Sequence, residues 1–318
     1  MKFFWSHDTT NNEQESEERI DYAYLSDEEL LDSFKSNSWS NLDEEHRVAI
    51  VQEMENRNAV AQGREPATVV SMDDSRYYGQ YNAPNNQLSI DVTNVSSYET
   101  LDTYVHETNH AYQEFAIKNG SEQYDEHTLN MMKAEMARDE HGNLYNYATA
   151  SPEYDIQCDE LDSNNKAAAY LVAEKDQYGE DPEYRAYIKE RADHFEQVNS
   201  SLENDSEKRA SLQMNQAEIA WIRGDLSDEE YETLKDNISN SEFQDETVDE
   251  SYKVGDAVMA LNNEYELEES ATITEDADYM GTLDVPESND NTEDYGGSAY
   301  EGSSESVESS NDNGIDYD

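Results

Sequence analysis

Only part of this chain carries enough apolar side chains to build a core, and that limits every fold open to it. From Glu287 to Asp318 the residues are mainly Ser, Asn, Asp, Glu and Gly, with almost nothing to bury. Such a composition cannot offset the entropy lost on ordering. Residues 241–318 hold 24 acidic side chains and a single basic one, Lys253. We expect them to form an acidic, largely disordered tail, relieved only by a weak β signal at Val254–Leu261. Residues 1–20 are polar and expected to be flexible. The folding segment is then 21–240, long enough for one domain with a proper hydrophobic core.

Charge narrows the partners. The chain carries −56 in all, of which −33 lies in residues 1–240. A field of this sign repels phosphate, so neither nucleic acid nor an anionic membrane is an expected partner, whereas a cationic protein is a possible one. No stretch approaches the roughly 18 apolar residues that span a bilayer. The opening MKFFWSHDTTNN has no apolar core of the secretory-signal kind. A cytoplasmic location is expected, with leaderless export as an effector the alternative. The single cysteine, Cys158, rules out an internal disulfide framework. It reads as a small buried hydrophobe, with a fourth metal ligand or a redox sensor as the other uses.

Local patterns order the folding segment. Ser26 ahead of Asp27-Glu28-Glu29 starts a short helix, and Asn41 with Glu44 opens a longer one that Gly63 and Pro66 end. The period then changes. Ala67–Met72 is β-prone, and Tyr77–Tyr81, the turn Pro84-Asn85-Asn86 and the alternation Leu88, Ile90, Val92 read as a hairpin. Ser96 and Glu99 start a helix over Tyr98–Lys118, closed by Gly120. Residues 120–156 are irregular, with one helix near Leu129–Met136. Further helices follow at about Gln157–Lys175 and Pro182–Val198. The sum is an α+β chain, mostly helical, with a small sheet before the helix at Tyr98–Lys118.

That helix carries His106-Glu107-Thr108-Asn109-His110. Positions i and i+4 lie on one helical face, so two imidazoles there can bind one zinc ion. Glu107 points to the neighbouring side, where a water would be activated. A catalytic site needs a third protein ligand. The metzincin continuation is excluded, because Gln113 and Ala116 stand where that pattern has Gly and His. The best candidate is Glu160. It extends the stripe Asn164, Ala167, Ala168, Leu171 toward the start of its helix, and a lone carboxylate on a buried stripe is costly unless it is paired or binds metal. Asn164, one turn on, would orient a ligand. Asp155, Asp159, Asp162, His127 and His141 are the competitors.

HETNH on one helix and Glu160-x-x-Ser163-Asn164 on a later one resemble the gluzincin pattern. The resemblance, over residues 67–175, is to the small bacterial and phage-associated zincins that include the ImmA/IrrE peptidases. It implies a zincin-like α+β fold and a zinc-dependent metallopeptidase acting on a peptide or protein substrate. His106, His110 and Glu160 would then hold Zn2+, and Glu107 would activate the zinc-bound water. It also implies an extended substrate along an edge strand, for which Leu88–Val92 is the candidate, and a Tyr or His at the oxyanion. The alternatives are another zinc-dependent amide hydrolase, or an acidic interaction protein, such as a DNA mimic or effector scaffold, with a vestigial metal site.

Overall fold

Ser26 begins the first helix as its neighbours predict. Its hydroxyl accepts from the Glu29 amide at 3.2 Å, and the Glu29 carboxylate accepts from the Ser26 amide at 2.8 Å. The structure is a computed structural model that describes residues 21–72, 77–136, 154, 157–204, 206–242 and 255–280. At 201–204, 206–209, 240–242 and 269–280 it describes backbone alone. The chain divides into two units, 1–271 and 272–318. The described part of the second, 272–280, is helical backbone.

The helices are α1 (Asp27–Asp32), α2 (Ser36–Trp39), α3 (Glu44–Gln62), α4 (Ser97–Asn119), α5 (Glu126–Glu135) and α6 (Cys158–Ala173). After them come α7 (Lys175–Tyr178), α8 (Pro182–Asn204), α9 (Ser206–Arg223), α10 (Asp228–Glu242) and α11 (Asp256–Met280). Three strands, β1 (Thr68–Ser71), β2 (Gly79–Asn82) and β3 (Gln87–Ile90), lie between α3 and α4. The expected α+β class, mostly helical with a small sheet before the His106 helix, is what the chain adopts. Among the described residues no helix is long and apolar enough to cross a membrane.

The sheet order is β1-β3-β2. β3 runs parallel to β1, with Val69 beside Leu88, and antiparallel to β2, with Tyr81 beside Leu88. The hairpin turns through a short 3-10 segment at Ala83–Asn85 and then Asn86, whose φ of 46° is left-handed, a conformation Asn tolerates. This corrects one expectation: Leu88–Val92 includes a central strand, not an edge. A strand needs a partner for its amides on each side unless it is an edge, and here both sides of β3 are taken. Alternation along it still holds, since Leu88 and Ile90 are fully buried while Gln87 and Ser89 are half-buried.

Leu88 and Ile90 meet Ile50 and Val51 of α3, Tyr98 and Leu101 of α4, Leu171 of α6 and Tyr184, Ile188 and Phe195 of α8 in one core. A smaller cluster joins Met131 and Ala134 of α5 to Ala217 of α9 and to Leu234 and Ile238 of α10. Beneath α4 lies a buried ionic knot. Glu55 takes both arms of Arg64 at 2.6 and 3.1 Å, the Ala67 amide at 2.8 Å and the Thr108 hydroxyl at 2.5 Å. With every donor satisfied, such a knot resists rotation of α4 about its axis.

Val254–Leu261, expected as weak β, is largely the start of helix α11, and packing does not end near residue 240. Val258, Leu261 and Tyr265 recur at helical spacing and join the main core. A short apolar run of this kind cannot be told from a strand by periodicity alone. The helix is preceded by Gly255 at φ 72°, where a Cβ would collide with the Phe195 ring. Leu261→Ala should therefore cost about 2–5 kcal/mol, and truncation after Asn240 more than that. Urea midpoints for the two variants check this; a truncated chain as stable as the full one would contradict it.

Candidate metal centre

α4 presents His106 and His110 one turn apart, their Nε2 atoms 3.1 Å from each other. Glu160, in the first turn of α6, reaches both rings, with Oε2 at 3.1 Å from His106 Nε2 and Oε1 at 3.4 Å from His110 Nε2. The three residues form a group able to hold a metal ion, their ligand atoms all within 4.8 Å of one another. Glu160 and His110 are buried, while the His106 side chain keeps 18% of its surface exposed, so the group is reachable from solvent.

Of the competitors for third place, Asp159 is buried beside Glu160 but supplies no atom to the group, and one of its carboxylate oxygens lacks a hydrogen-bond partner among the described residues. Asp162 instead accepts from Asn109, Gln113 and Tyr124 at 2.8, 2.9 and 2.5 Å. His127 meets Asn237 at 3.1 Å. Asp155 and His141 lie outside the described residues.

Glu160 is placed by a residue the sequence did not single out. Helix α6 has no side-chain cap of its own at Gln157. The buried Glu135 carboxylate, at the end of α5, takes that role and accepts from the Cys158 and Asp159 amides at 3.0 and 3.1 Å. A carboxylate there satisfies two orphan donors and complements the helix dipole. No local motif could have revealed a cap that comes from 23 residues upstream.

Nor does Asn164 orient a ligand: its side-chain oxygen accepts from Arg191 at 3.1 Å. The partners of His110 Nδ1 are Gln113, whose Oε1 lies at 2.8 Å, and Ser163, whose Oγ lies at 3.4 Å.

Glu107 stands outside the three-residue group and is held by the sheet. The Tyr81 amide of β2 donates to its Oε2 at 2.7 Å. β2 can approach this closely because residue 79 is glycine; a Cβ there would collide with Thr103 and Glu107. β2 is thus an edge strand lying beside the motif helix. Tyr154, one of 23 tyrosines and the one sequence reasoning had no means to choose, hydrogen-bonds Glu160.

The electrostatics suit a cation. Burial raises the pKa of Glu107, against the pull of His106 and His110. Burial pushes Glu160 upward too, but the two imidazoles overcome it and hold the carboxyl well below its ordinary range. Burial would depress His110, yet Glu160 reverses this and lifts its pKa to about 10. Asp159 is raised by burial and by Glu160. Burial, then Glu160, keeps the Tyr154 phenol protonated. Three buried carboxylates, Glu107, Asp159 and Glu160, share this site with the two imidazoles, and imidazole with carboxylate is a donor set that zinc accepts. The residues present therefore fit a zinc ion. Comparisons with family models, curated proteins and solved structures found no match for this chain.

Proposed function

We propose that this chain is a zinc-dependent metallopeptidase of the gluzincin kind, with a zincin-like fold, acting on a peptide or protein substrate. The observation that carries the reading is the convergence of His106, His110 and Glu160 on one point, with the buried Glu107 beside it. A scaffold that merely bound metal would have no use for a buried carboxylate between its histidines, and burial without a task is costly. Zinc bound there would supply a water of pKa near 7 and a Lewis acid for the scissile carbonyl.

The chain's own residues do the rest. Glu107, fixed by the Tyr81 amide, takes a proton from the attacking water and delivers it to the leaving amine. A carboxyl whose pKa is raised by burial is the better acceptor for the first half of that transfer. Tyr154, kept protonated, donates to the oxyanion as it forms. The substrate lies extended along the outer edge of β2, adding a strand to the sheet.

Metal analysis of the purified full chain, followed by a peptide-library cleavage screen with and without a chelator, tests this. We expect about one zinc per chain and cleavage that a chelator abolishes and zinc restores. A metal-free chain, or cleavage indifferent to chelation, would sink the proposal.

A further inference from the structure

We infer that Gln113 is a positioning residue that sets His110 to present Nε2, and at the same time ties the backbone beside Glu160 to the helix carrying both histidines. The inference rests on the metallopeptidase reading and deepens it. Gln113 is fully buried, one turn past His110 on α4. Its Nε2 donates to the Asp159 carbonyl and to Asp162 Oδ2, both at 2.9 Å. The Asp159 carbonyl can only accept, and Asp162 Oδ2 already accepts from Asn109 Nδ2 at 2.8 Å. A flipped amide would set oxygen against oxygen twice, so the amide has one allowed orientation. Its Oε1 then faces His110 Nδ1 at 2.8 Å and can only accept, which requires a proton on Nδ1.

With Nδ1–H so engaged, the lone pair available for a metal is on Nε2, the atom that faces His106 and Glu160. Asp162 is itself held, by Asn109 Nδ2 at 2.8 Å, Tyr124 OH at 2.5 Å and Lys166 at 3.3 Å. The anchor of the amide is therefore rigid. Because Asp159 is the residue before Glu160, one side chain aligns two ligands from two helices. Outer-shell partners of metal-bound histidines commonly act in this way, fixing tautomer and ring orientation.

Two variants of the full chain test the role. Gln113→Met keeps the volume and removes both hydrogen-bonding functions. Gln113→Glu keeps an acceptor for His110 Nδ1–H but sets a carboxylate against the Asp159 carbonyl and Asp162. We expect Gln113→Met to weaken Zn2+ binding about 10–100-fold in chelator competition. Gln113→Glu should recover most of that loss while melting at a lower temperature than Gln113→Met without metal. Affinity and stability would then rank the variants in opposite orders, which a merely structural role cannot produce. In the zinc-loaded wild type, side-chain nitrogen shifts should place the proton of His110 on Nδ1 and the metal on Nε2; this stands even if a variant fails to fold. Unchanged affinity in Gln113→Met, affinity that simply follows stability, or coordination through Nδ1 would each overturn the inference and leave the metal site standing. A wild type that binds no zinc would overturn both.

Discussion

Glu107→Gln should leave zinc bound and the fold intact while lowering kcat/KM by at least 10²–10⁴-fold, the usual loss for a general base. That is about 2.7–5.4 kcal/mol of transition-state stabilisation. Three features make the two outcomes separable. Glu107 is not among the converging ligand atoms, so its amide removes no ligand. Gln has nearly the same shape and can still accept the Tyr81 amide that holds Oε2 at 2.7 Å, so β2 keeps its place against α4. The carboxyl is already pushed up by burial, so a neutral group there adds no desolvation cost. What disappears is the ability to take and return a proton. Parallel zinc titrations and cleavage assays on wild type and variant decide it. If the variant cleaves at the wild-type rate, the catalytic assignment of Glu107 is wrong; if it loses zinc, Glu107 is a ligand.

The parts of this site legible in the sequence are those that local rules govern. Spacing alone puts His106 and His110 on one face, and the Ser96 cap, which accepts the Glu99 amide at 3.1 Å, fixes where their helix starts. Glu160 could be picked because it prolongs an apolar stripe that must face inward, and it does lie buried against both rings. The misses are all matters of tertiary placement. Whether β2 or β3 is the edge depends on β1 joining the sheet from the other side, which alternation does not encode. The cap from Glu135 and the amide of Gln113 act across helices. Ser163 rather than Asn164 meets His110, a difference of one residue and about 100° of helical phase. The acidic composition hid α11, which is seated, among the described residues, by only three buried side chains, Val258, Leu261 and Tyr265.

Glu160→Gln should abolish most zinc binding, with a larger fall than the 10–100-fold that losing an outer-shell partner costs, because it neutralises the only carboxylate in the ligand group. The substitution keeps the side chain's length and volume, so packing in the first turn of α6 is preserved. What goes is the negative charge between two imidazoles at 3.1 and 3.4 Å. Thermal unfolding reads the loss directly, since a ligand that binds only the native state stabilises by RT ln(1 + [L]/Kd). At zinc one hundred times the wild-type Kd the wild type gains about 2.7 kcal/mol, and a variant bound 100-fold more weakly gains about 0.4 kcal/mol. Asp162 would be a poor control despite pointing away from the rings along its helix, because it anchors Gln113 at 2.9 Å. The exposed Glu229, at the start of α10, serves instead, and Glu229→Gln should keep the full zinc-dependent increment. A Glu160→Gln chain that zinc stabilises as much as it does the wild type would remove Glu160 from the site, and with it the gluzincin reading of this chain.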